Sequence, residues 1–182
     1  MKNFILLFVI ISMTAFASAQ SQQFTSNDTN KTAGAEIVNV TLTQDTRLTG
    51  CGNPNEVLLK ATVSFGGQNT TVALKNITLN LDGSSNIIDI EEVKVYSTGN
   101  VNNFDGRTLQ GATLLGSVVP TSGDFICNLD GTLVSGTNYI WVVARVSDDA
   151  VEGNVIDASL IKIVTEEQDY TVANPSPAGS RE

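Results

Sequence analysis

Hydrophobic residues occupy every second position in several short segments of the chain, and Gly, Asn and Asp cluster between these segments. This alternation is clear in residues 38–42, 57–65 and 138–147. A period of two places one face of a β-strand in a core and the other face towards solvent, whereas a helix would need a period near 3.6. No segment has a convincing helical period, so the pattern predicts an all-β chain.

Eight or nine strands are predicted between residues 36 and 165. Regular strand spacing without intervening helices favours an antiparallel β-sandwich, either jelly-roll or immunoglobulin-like, over a parallel α/β sheet. In residues 71–81 the apolar positions change parity between Leu74 and Ile77, which predicts a bulge or a bend. The remaining predicted strands are residues 92–97, 113–119, 124–129 and 155–164.

The first 35 residues differ from the predicted sandwich. Lys2, the apolar run 4–11 and the small residues 17–19 have the order of a secretory signal peptide, predicted for residues 1–19. Residues 20–35 are polar and predict a flexible leader. The apolar run is too short to span a bilayer, so we expect no membrane insertion. The signal peptide predicts an exported protein that is periplasmic, bound to the cell surface or secreted.

The last residues, 166–182, are polar and contain prolines and glycine, which is the composition of a linker. A domain that ends in such a linker is expected to be part of a longer chain. The sandwich itself is predicted to occupy residues 36–165.

The chain is acidic, with 10 basic and 19 acidic residues and a formal net charge of −9. A polyanion is a poor partner for such a surface, so nucleic acid is not an expected ligand.

Two cysteines, Cys51 and Cys127, leave two alternatives open. An exported pair can oxidise to a disulfide. Cys127 also alternates with Phe125 and Leu129 on a predicted strand, which is typical of a small thiol buried in a core.

Catalytic chemistry is poorly represented, because the chain contains no histidine. This excludes Ser-His-Asp and Cys-His arrangements and removes the commonest zinc ligand, and we expect no enzymatic activity and no cofactor. Four acidic residues around a Gly-Asn turn offer oxygen donors for a structural calcium ion, although a plain polar turn is the favoured explanation. These residues are Asp148, Asp149, Glu152 and Asp157.

The segment 138–147 carries the candidate binding residues. One face is wholly apolar, so Tyr139, Trp141 and Arg145 must lie on the other face. Aromatic rings can stack on the C–H faces of a sugar, and a guanidinium suits a carboxylate such as that of sialic acid. The alternative is that Trp141 anchors the core or lies under a loop.

Three motifs around this strand resemble one protein family. Residues 136–143 read GTNYIWVV, residues 148–154 read DDAVEGN, and residues 156–159 read IDAS. Together they are similar to the N-terminal domain of bacterial BNR-repeat neuraminidases, with Ile140 in place of the usual Phe. The resemblance implies a β-sandwich that precedes a six-bladed sialidase propeller and serves as a carbohydrate-binding or positioning module.

The motifs of the propeller itself are missing, so the resemblance implies only the accessory role. It implies sialylated or other glycans and a tethered C-terminal sialidase propeller as partners. The alternative is an immunoglobulin-like spacer that packs on the propeller without binding sugar.

Overall fold

The computed structural model describes residue 34 and residues 36–67 and 71–182. The predicted signal peptide and nearly all of the predicted leader lie outside the described residues. Within the described ranges, no helix is long and apolar enough to cross a lipid bilayer.

The predicted all-β sandwich is confirmed, with nine strands in two antiparallel sheets among the described residues. The five-stranded sheet has the order β1-β2-β7-β4-β5, and the four-stranded sheet has the order β6-β3-β8-β9. The strands are β1 (Glu36–Gln44), β2 (Glu56–Gly66), β3 (Thr71–Asn80), β4 (Ile90–Ser97), β5 (Thr113–Val118), β6 (Phe125–Val134), β7 (Gly136–Val146), β8 (Ser159–Thr165) and β9 (Asp169–Thr171). A 3-10 turn, Ile87–Asp89, precedes β4.

The core lies between the two sheets. Ile140, Val142 and Ala144 of β7 face it, as the alternation predicts, and they pack in one cluster with Ile77 of β3 and Leu160 of β8. These side chains are almost completely buried. Burial of each large aliphatic side chain contributes roughly 1.5–3 kcal/mol, so the facing layers are the main source of stability.

Register shifts decide which face some residues take. The predicted irregularity in β3 is confirmed, because its register shifts between Leu74 and Asn76 relative to both neighbouring strands. A second shift, between Ile37 and Asn39, corrects the expectation that Val38 faces the core. Ile37 is buried instead, and Val38 is 62% exposed, because one extra residue reverses the side chains that precede it.

Two edge strands from different sheets, β5 and β6, pack on each other. A Cβ atom on Gly131 would lie 2.6 Å from Cδ2 of Leu115, so the glycine permits this close approach. Asp130 and Gly131 read as a turn in the sequence, but β6 continues through them. The sandwich therefore closes along this side.

The segment predicted as a linker, residues 166–182, is packed against the sandwich. β9 pairs with β8, Val172 is buried, and Arg181 is 4% exposed. The backbones of Arg181 and Ile156 exchange two hydrogen bonds, of 2.6 and 2.8 Å. The structure therefore differs from the expected linker. The sequence did not predict this packing because the contacts involve isolated residues, which leave no periodic signal.

Both cysteines are free thiols in this structure, and Cys127 takes the core position that its alternation predicts. Cys127 is completely buried in the main cluster, whereas Cys51 is exposed on the connection that precedes β2. Burial disfavours the charged thiolate and raises the pKa of Cys127 to about 11.

Candidate functional site

The predicted binding residues lie on the outer face of the five-stranded sheet. Tyr139, Trp141 and Val143 point away from the core, as the alternation predicts. With Val57 of β2 and Tyr96 of β4 they form a second, smaller apolar cluster. This face would be open to solvent if nothing covered it.

The connection between β4 and β5, residues 98–112, covers this face. Phe104, Leu109 and Ala112 pack on the outer cluster. The ring of Phe104 stacks on that of Trp141, with centroids 5.4 Å apart, and the indole N–H of Trp141 donates to Thr98 Oγ1 at 2.9 Å. Trp141 is therefore buried under a loop, as the alternative to the sugar platform predicts.

The other two predicted residues are more accessible. Arg145 is exposed and its Nε donates to a carboxylate oxygen of Glu91 at 2.7 Å. Tyr139 is half-buried beside Trp141. The structure thus brings the three residues onto one face, but it does not present them together as an open aromatic surface.

A groove with a volume of about 650 Å³ opens beside the covering loop. One wall is the connection that leads into β2, and the other is the turn 104–107. Three of the four arginines in the chain line it: Arg47, Arg107 and Arg181. We call it the arginine groove.

Hydrogen bonds fix the first wall of the arginine groove. The Nζ of Lys94 donates to the Pro54 carbonyl at 3.0 Å and to Oδ1 of Asn55 at 3.3 Å. The backbone N–H of Asn55 donates to Oδ1 of Asn53 at 3.2 Å. These bonds join the loop to β4, so the wall is held before any ligand arrives.

The second wall is organised by Asp105. Its carboxylate accepts hydrogen bonds from the backbone N–H of Arg107 at 2.9 Å and from the hydroxyl of Thr108 at 3.0 Å. The Arg107 bond is the main reason that the pKa of Asp105 is lowered. The two walls meet at Gly106, where an added Cβ atom would collide with the Asn55 carbonyl.

The base of the groove is a buried ion network around Arg181. Its guanidinium forms ion pairs with Asp45, at 2.9 Å, and with Glu56, and it donates to the Val57 carbonyl at 2.9 Å. Asp45 also binds Arg47 at 2.6 Å. Burial alone raises the pKa of Asp45, but its hydrogen bonds and the two positive charges outweigh burial and lower the pKa overall.

Sequence reasoning missed this groove. Arg47 and Arg107 lie 60 positions apart on two irregular connections, where side-chain direction follows no period. The signal that was available is the scarcity of arginine in an acidic chain and its occurrence beside turn residues, as in the DGR sequence at 105–107.

The four acidic residues considered for calcium do not form a metal centre. In the part of the chain that the structure describes, no three His, Cys, Asp or Glu side chains converge in a metal-binding arrangement. Burial raises the pKa of Asp157, and its Oδ1 accepts the backbone N–H of Ala158 at 2.8 Å. The plain polar turn is the simpler interpretation of this segment.

Comparisons with known proteins bear on the fold. No family model and no curated protein matches the chain. Among solved structures, it is similar to the Hadza microbial sialidase Hz136, with a TM-score of 0.62 and 16% sequence identity. The match covers 78% of this chain and 30% of that chain. At this identity the likeness concerns the fold, and the sandwich therefore shares its fold with part of a sialidase.

Proposed function

We propose that this chain is a non-catalytic carbohydrate-binding and positioning module of a secreted exo-α-sialidase that acts on sialylated glycoconjugates. The observation that carries the proposal is the extent of the structural match. Most of this sandwich corresponds to less than a third of a sialidase chain, which is the relation expected of one module within a larger enzyme. The motifs around residues 136–159 support the same assignment independently of the fold.

The acidic residues at the arginine groove support a non-catalytic role. A glycosidase needs one carboxyl group whose pKa is raised, so that it can act as an acid. The pKa of Asp105 is lowered by hydrogen bonds to its ionised form. Glu56 is held by an ion pair with Arg181 and a hydrogen bond from Asn53, so both carboxylates of the groove are already engaged within the fold.

A weak binding module would serve a tethered enzyme through effective concentration. Once the module holds a glycoconjugate, the catalytic domain meets further sialic acids at a concentration set by the linkage between the two domains. The affinity of the module for one sugar can then be low, and the enzyme still gains activity on polymeric substrates.

A glycan array tests this proposal. The purified, fluorescently labelled chain is applied to matched pairs of glycans that differ only in the terminal sialic acid. The expected result is retention on the sialylated members and much weaker retention on the others. Failure to bind any glycan on the array would remove the proposal.

The second candidate function is a structural spacer that packs on a catalytic propeller. The covered outer face favours it, and so do two exposed apolar side chains, Leu48 and Val151, that border a cavity of about 390 Å³ at one end of the sandwich. Deleting a spacer would lower the melting temperature of the complete enzyme without changing its KM for small or polymeric substrates. Deleting a binding module would raise the KM for polymeric substrates alone.

A further inference from the structure

We infer that the arginine groove binds the carboxylate of an acidic sugar, with Arg107 as the principal contact and Arg47 as the second. This inference rests on the proposed glycan-binding function and assigns a site and a ligand chemistry to it. It replaces the outer face of β7 as the binding surface, because Trp141 is buried there and Arg145 is paired with Glu91.

Charge is the first argument. The formal net charge of −9 repels an anionic sugar from most of the surface. At the arginine groove, three guanidiniums balance the carboxylates of Asp45, Glu56 and Asp105, so the local charge is close to zero, in contrast to the acidic surface as a whole. Guanidinium is the side chain best suited to bidentate binding of a carboxylate.

Availability separates the three arginines. Arg181 is 4% exposed, and its guanidinium is already engaged in ion pairs with Asp45 and Glu56. The side chain of Arg47 is 76% exposed and shares Asp45 with Arg181. Arg107 is exposed, and no carboxylate of the described chain forms an ion pair with it, so its fork of N–H donors is the most available in the groove.

Shape and rigidity are the second argument. The volume of about 650 Å³ lies within the roughly 300–1,000 Å³ range of small-molecule sites. Half-buried Phe104 provides apolar surface for the C–H groups of a sugar ring, and the Asn55 amide provides a hydrogen-bonding group for its hydroxyls. Both walls are already tied by hydrogen bonds, so little ordering is needed on binding.

An NMR titration of the full chain tests the inference. The probes are N-acetylneuraminic acid, glucuronic acid and neutral lactose, and amide shifts locate the site. We expect shifts in residues 47–57 and 104–108 with the two acids and none with lactose. Binding of sialic acid alone would identify the source of the carboxylate, and equal binding of both acids would define a general acidic-sugar site; either result supports the inference.

Matched variants make the test specific. Arg107→Gln removes the charge and should weaken binding about tenfold or more, since a hydrogen bond to a charged group is lost. Arg107→Lys keeps the charge but loses the forked arrangement of N–H donors, so its affinity should lie between those of the unmodified chain and Arg107→Gln. Arg145→Gln is the control, an exposed arginine outside the groove that should leave affinity unchanged within about twofold. Thermal unfolding checks that each variant folds.

The outcomes distinguish this inference from the proposed function. If the acidic sugars shift amides outside the arginine groove, or if Arg107→Gln leaves the affinity unchanged, the groove is not the binding site while the glycan-binding role stands. Shifts with lactose alone overturn the carboxylate site and leave a module for neutral glycans. An absence of shifts with all three sugars, together with an empty glycan array, overturns both.

Discussion

Replacing Arg181 by Ala should destabilise the sandwich strongly, although the residue lies in a segment whose composition resembles a linker. The guanidinium forms ion pairs with Asp45 and Glu56 and donates to the Val57 and Leu48 carbonyls. Removing one partner of a buried ion pair costs about 3–5 kcal/mol, because the other charge stays buried without compensation. Since Asp45 retains Arg47, we expect a loss near the lower end, about 3 kcal/mol.

Urea unfolding measures this loss. The chain has one tryptophan, Trp141, and it is buried, so its fluorescence reports unfolding without an added probe. The matched control is Lys162→Ala, which removes an ion pair with Asp169 between side chains that are 38% and 65% exposed. Such exposed pairs contribute about 0–1 kcal/mol, so the control should change little.

A double variant identifies the cause of the loss. Adding Glu56→Gln to Arg181→Ala removes the uncompensated carboxylate and should restore part of the lost stability. If Arg181→Ala destabilises the chain no more than Lys162→Ala, the segment is not part of the folded unit and the reasoning is wrong.

The remaining predictions concern the covering loop and acid stability. Thr98→Val leaves the buried indole N–H of Trp141 without its acceptor and should lower the free energy of unfolding by about 1–3 kcal/mol, measured by urea unfolding. Asp45 and Asp105 have pKa values below the ordinary 3.8, so their stabilisation is complete above that pH and is lost as the pH falls through their lowered pKa values. Because Asp105 contributes to this loss, the melting temperature of Asp105→Asn should fall less between pH 5 and pH 2 than that of the unmodified chain. Asp157 has a raised pKa, so its protonation in acid favours the folded state and acts in the opposite direction.

The sequence predicts the strands well because their signal is local and periodic. The inner face of β7 follows directly from alternation, and the irregularity in β3 follows from a change in parity that a single segment displays. Bulges near strand ends are harder to predict. At Ile37 and Val38 either residue can face the core, and only pairing with β2 decides between them.

The candidate site is harder to predict because it depends on contacts between distant segments. Alternation correctly places Trp141 on the outer face, but only the fold shows that Phe104 covers it. The arginine groove similarly requires two connections to meet at Gly106 and Asn55. No sequence pattern marks Arg181, since the partners of its side chain lie more than 120 positions earlier in the chain.

Binding to an immobilised sialoglycoprotein, measured before and after enzymatic removal of its sialic acids, tests the central claim most directly. The account predicts association that desialylation abolishes and that Arg107→Gln weakens about tenfold, with Arg145→Gln unchanged. Equal association with both surfaces, or none with either at high chain concentration, would contradict it.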